Sequence, residues 1–137
     1  MGQYFKAVNI DKKEYVCPWC MHGGAKLWEW AANTQGAVFT LLLRKSDGSG
    51  GGDYYGYRRG YDEGSPVPEH DAIVGRWAGD RVMLVGDYDS SKLWDDLPQF
   101  RNVTEELVDA WNSFIDLADK KLDYSPCSGC RDPDKAK

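Results

Sequence analysis

Cys17-Pro18-Trp19-Cys20 and Cys127-Ser128-Gly129-Cys130 are the two stretches on which the reading of this chain turns. Each is a Cys-x-x-Cys pair, and two intervening residues let both sulfurs reach one tetrahedral metal ion at about 2.3 Å each. Pro18 after the first cysteine and Gly129 before the last suit the tight knuckle turns of such pairs. Four thiolates make a closed structural site with no open position for water or substrate. Cys17, Cys20, Cys127 and Cys130 are therefore expected to hold one structural zinc ion. The two pairs stand far apart, and the cost of closing a loop grows only slowly with its length. The ion is expected to clamp the first segment of the chain to the last.

Other readings of the same cysteines stay open. Disulfides need an oxidising compartment, and nothing marks the chain as secreted. A redox dithiol at Cys17 and Cys20 needs a helix after it, and Met21-His22-Gly23-Gly24 is a poor helix start. A four-iron cluster would take the same sulfurs and give colour. His22 is a further ligand type, but with four cysteines present it reads as a bystander.

Outward from the first knuckle, Tyr4 to Ile10 alternates as a strand does. Asp11-Lys12-Lys13 is a polar turn, and Glu14-Tyr15-Val16 is a second strand. The pair reads as a hairpin that delivers Cys17 at its end. Lys26 to Ala32 is ambiguous. Thr34 reads as the N-cap of a helix over Gln35–Lys45, with Val38, Leu41 and Leu42 on its apolar face. Ile73–Trp77 and Arg81–Val85 read as a second hairpin turning at Gly79-Asp80. Val82 to Val85 is apolar on both faces and suits a central, covered strand. Gly86 to Gln99 reads as a loop with a helical turn near Leu93. Asn102 and Glu105 start the longest helix, Thr104 to Leu122, whose stripe includes Leu107, Trp111, Phe114 and Ile115. The expectation is an α+β fold: a small antiparallel sheet of two hairpins, packed on one side by two helices. One domain is expected over residues 1–137, with a Gly/Tyr-rich loop at 46–72 and a zinc-knuckle tail at 124–137.

Composition narrows the functional classes. The net charge is −5 at pH 7, so bulk attraction to nucleic acid or an anionic membrane is not expected. Residues 87–123 carry ten acids against four bases, which points to an acidic helix face. The start lacks the pattern of a signal peptide, and no apolar run nears the ~20 residues of a membrane span. A cytoplasmic location is the expectation.

The strongest binding signal besides the cysteines is Tyr54-Tyr55-Gly56-Tyr57-Arg58-Arg59-Gly60-Tyr61. Rings for stacking alternate with glycine around two guanidinium groups, which suits a nucleotide or a protein hot spot. Arg76 beside Trp77 offers a further stack on a ligand, with a core role as the simpler account. Gly48 to Asp53 lacks the Gly-Lys-Ser/Thr ending of a phosphate loop. Asp87-Tyr88-Asp89 reads as turn chemistry. Two histidines, and no nucleophile placed beside His70, support no catalytic set.

The block Gly75-Arg76-Trp77-Ala78-Gly79-Asp80-Arg81-Val82-Met83-Leu84-Val85-Gly86-Asp87-Tyr88-Asp89 resembles a family of small proteins of bacteria, phages and other mobile elements, for which no activity is known. Met1-Gly2-Gln3-Tyr4-Phe5, the following Asn9 to Tyr15, and Leu41 to Gly48 look similar too. Those proteins carry a His/Pro-containing stretch in place of Cys17-Pro-Trp-Cys20, so zinc would be particular to this branch. The resemblance implies a phage or mobile-element setting, where small non-enzymatic inhibitors are common. The resulting expectation is a zinc-stabilised interaction protein that docks on a host macromolecule through the Tyr/Arg loop or the acidic helix face. The alternatives are a binder of a nucleotide-derived ligand through the Tyr/Arg loop, and an enzyme with an unrecognised site.

Overall fold

The computed structural model describes residues 2–46, 73–114 and 121–130. Strands β1 (Phe5–Asn9) and β2 (Glu14–Val16) form the expected antiparallel hairpin, with Ala7 opposite Val16 and Asn9 opposite Glu14. Its turn is fixed from inside: the buried Asn9 accepts the Lys12 N–H at 2.8 Å, and Lys13 takes a positive φ of 55°. Strand β3 (Val82–Gly86) runs antiparallel along the other side of β1. Strand β4 (Arg101–Asn102) runs parallel to β2. The order β3-β1-β2-β4 makes a mixed four-stranded sheet rather than a purely antiparallel one.

The fold is α+β, but the second hairpin is not formed. Ile73 to Gly79 is a run of turns, with Gly75 at φ 77° and Gly79 at φ 82°. Its backbone serves a helix instead of a strand. The N–H groups of Gly75 and Trp77 donate to the carbonyls of Leu41 and Leu42 at 2.8 and 2.9 Å. Those carbonyls belong to the last turn of a helix and have no partner within it. Nor is β3 the central strand: it forms an edge, and Met83 is 40% exposed. The central strands are β1 and β2, and Val8 is wholly buried.

Helix α1 (Leu27–Ala32) settles the ambiguous segment, and Glu29 caps it by accepting the Lys26 N–H at 3.0 Å. Helix α2 (Thr34–Leu42) follows at once, with Asn33 rather than Thr34 as its N-cap, and stops before Lys45. Helix α3 (Leu93–Asp96) is a single turn. Helix α4 (Thr104–Phe114) begins where expected, but residues 121–127 have no regular structure, so the helix does not reach Leu122. There the Asn112 side chain replaces a helical partner, donating to the Leu122 carbonyl at 2.7 Å and accepting its N–H at 2.8 Å.

Strand periodicity sorts the interior into two clusters, because alternate side chains point to opposite faces. Ala7 and Val16 face the larger one, with Trp30, Leu42, Trp77 and Leu107. Val8, Tyr15 and Val85 face the other, with Leu97, Cys17 and Cys20. The sheet is therefore covered on both faces, and the second cover holds the cysteines.

Candidate metal centre

Cys17 follows β2 directly, so the strand sets its position. Its N–H donates to the Thr104 hydroxyl at 2.8 Å, and that hydroxyl donates to Asn102 Oδ1 at 2.6 Å. The first knuckle is thereby pinned to the start of α4. Pro18 opens a 3-10 turn over Trp19–Met21, and its carbonyl accepts the N–H groups of Met21 and Gly23 at 3.2 and 2.8 Å. His22, at φ 60°, turns the chain back. In the second knuckle the Cys130 N–H donates to the Cys127 carbonyl at 3.1 Å. The tail is docked by the Ser125 N–H on the Cys20 carbonyl at 2.9 Å.

These turns gather the four sulfurs within 4.8 Å of one another. Cys17 Sγ and Cys127 Sγ are 3.8 Å apart. Two sulfurs bound to one tetrahedral ion at about 2.3 Å each lie about 3.8 Å apart, so the spacing matches a coordination edge. It exceeds the about 2.05 Å of a disulfide, and none of the four cysteines is in one. Cys17 and Cys20 are wholly buried, while Cys127 and Cys130 are partly open. The arrangement is able to bind a metal ion.

Three donors other than the thiols point at the sulfurs. The Cys127 N–H reaches Cys20 Sγ at 3.5 Å, Asn102 Nδ2 reaches it at 3.8 Å, and the Tyr15 hydroxyl reaches Cys130 Sγ at 3.6 Å. Hydrogen bonds of this kind favour thiolate over thiol. Left to themselves the sulfurs share their protons unequally. Hydrogen bonds from Cys17 and Cys20 hold Cys130 down to about 2. The interaction with Cys130 pushes Cys20 up to about 11 and, with Cys20 and burial, drives Cys17 far above the ordinary thiol range. Burial, then the Cys130 sulfur, raises the Tyr15 hydroxyl. A divalent cation bound by the four sulfurs favours their thiolate forms.

Lys6 lies close by. Its Nζ is 4.8 Å from the Trp94 ring centroid, 5.3 Å from Tyr15 and 5.8 Å from Trp19. His22 is outside the four-sulfur group and meets Ser125 Oγ through Nε2 at 3.0 Å. Sequence reasoning missed Lys6, Tyr15, Asn102 and Thr104 as surroundings of the cysteines. Tyr15 had a signal, two residues before Cys17, whereas the others are brought in by strand pairing.

Arg76 and Trp77 do not form a ligand stack. Trp77 is wholly buried and donates Nε1–H to Glu14 Oε1 at 2.9 Å. Arg76 forks between Glu14 at 2.8 Å and Glu106 at 3.0 Å. A buried carboxylate on β2 needs these donors, and that need holds Trp77 inside and Arg76 half-buried against Glu14. Tyr54, Tyr55, Tyr57, Arg58, Arg59 and Tyr61 lie outside the described residues. Among the described residues no helix is long and apolar enough to cross a membrane.

The fold and the site together define an α+β domain with a four-cysteine group able to hold a metal. Comparison of the chain with protein-family models, with curated proteins and with solved structures returns no match.

Proposed function

We propose that the four cysteines hold one structural zinc ion, and that the domain it closes works by binding another macromolecule rather than by catalysis. The observation that carries the zinc reading is the closed set of four sulfurs, all within 4.8 Å. Four protein ligands leave a tetrahedral ion no position for substrate, which is the pattern of structural sites. Hard cations prefer oxygen ligands, and an all-sulfur set favours zinc or an iron–sulfur cluster. Purified protein is expected to carry one equivalent of zinc by elemental analysis and to be colourless. Less than half an equivalent overturns the reading.

The binding role draws on large side chains left in solvent. Trp28 is 65% exposed, Tyr88 61% and Leu27 55%. Trp and Tyr side chains such as Trp28 and Tyr88 are the usual anchors of protein interfaces. With Trp77 buried and Arg76 paired with Glu14 and Glu106, the nucleotide alternative rests on residues 54–61. An inhibitor of a host macromolecule is the form of the binding reading that fits the phage-like resemblance. Affinity capture of the zinc-loaded protein from a lysate of its host is expected to return a stoichiometric partner. Return of none removes the docking role.

A further inference from the structure

Lys6 lies on β1 opposite Val85, and its charge sits on the cysteine side of the sheet, over Tyr15. A lysine on a strand ordinarily extends its ammonium into water. Here three rings hold it, each within 6 Å, which is the range of a cation–π contact. Each ring is tied to the cysteine group. The Tyr15 hydroxyl donates to Cys130 Sγ at 3.6 Å. Trp19 stands between Cys17 and Cys20 in the first knuckle. Trp94 meets Trp19 edge-on, with centroids 6.3 Å apart. Among the described residues no carboxylate lies within ion-pair distance of Lys6.

A divalent ion with four thiolates keeps a formal excess of two negative charges. A caged ammonium that pairs with no carboxylate among the described residues is suited to offset part of that excess. We infer that Lys6 is the charge partner of the metal–thiolate centre, held there by Tyr15, Trp19 and Trp94, and that it slows loss of the metal. This rests on the zinc reading above. Lys6 touches no metal in this role. It acts through the field it sets at the sulfurs, as outer-shell groups do.

The test uses the zinc-loaded full chain and follows zinc transfer to the chelating dye 4-(2-pyridylazo)resorcinol. Lys6→Met keeps the alkyl stem and removes the charge, and is expected to release zinc about tenfold faster, in the range for outer-shell changes. Lys6→Arg is expected to behave as the parent protein, and Lys6→Glu to release faster than Lys6→Met. That order follows charge, whereas a packing role would follow side-chain shape. Equal rates for the parent and Lys6→Met overturn the inference, as do equal rates for Lys6→Arg and Lys6→Met. Failure of the zinc reading itself is seen separately, as a parent protein that purifies without zinc.

Discussion

Glu14 is 7% exposed, yet it carries a charge in the sheet's interior. Burial alone would raise its carboxyl, but hydrogen bonds from Arg76 and Trp77 outweigh that and hold it below the ordinary value of 4.5. A carboxylate whose folded value is depressed adds stability that is complete above the unfolded value and lost as pH falls through the folded one. Urea midpoints of the parent protein are therefore expected to fall as pH drops below about 4.5, and those of Glu14→Gln to fall less over the same range. Arg76→Met leaves the carboxylate buried without its main partner, at an expected cost of about 3–5 kcal/mol in the same measurement. Thr104 is the second polar residue on which much depends, because it is wholly buried and receives the Cys17 N–H. Thr104→Val leaves that donor unpaired and is expected to cost about 1–3 kcal/mol, read from the urea midpoint at pH 7. Neither role was legible in the sequence. Glu14 and Trp77 are 63 positions apart, and Cys17 and Thr104 are 87 apart, so no local pattern joins them.

At the scale of elements, β1 and β2 were legible because alternation, a polar turn and a second alternation follow each other without a break. The stretch from Ile73 to Trp77 misled because its apolar residues do enter the core, but from a chain of turns. Periodicity reports burial, and it cannot tell whether backbone N–H groups serve a strand or the end of a helix. Strand β3 is apolar on both faces because Val82 and Leu84 pack on one cluster and Val85 on the other, although it lies at an edge and leaves Met83 exposed. Strand β4 is two polar residues long and gives no signal of its own. The junction of α1 and α2 offers a sharp test. A Cβ on Gly36 would stand 2.0 Å from the Trp30 carbonyl oxygen, a backbone atom that cannot swing aside. Gly36→Ala is expected to destabilise by about 1–3 kcal/mol through overpacking, despite alanine's better helix propensity, as a lower midpoint in urea. A midpoint equal to or above that of the parent protein would show that the two helices separate easily.

For the molecule as a whole, the most legible feature was the pairing of two Cys-x-x-Cys motifs, because the knuckle spacing is local even though the assembly is not. Metal binding and folding are coupled at such a site. Removing the ion with a chelator is expected to raise amide hydrogen exchange in residues 17–23 and 121–130 together, while β1 and β3 keep their protection. Exchange confined to the tail would show that the first knuckle stands without it. The arrangement also bears on how the protein is made. Cys17 and Cys127 are 110 positions apart. At a synthesis rate of roughly 5–20 residues per second, the early thiols are made about 5–20 s before their partners exist. Throughout that interval Cys17 and Cys20 are without their sulfur partners on an unfinished polypeptide, so a four-sulfur site of the proposed kind would close only once the second knuckle has been made.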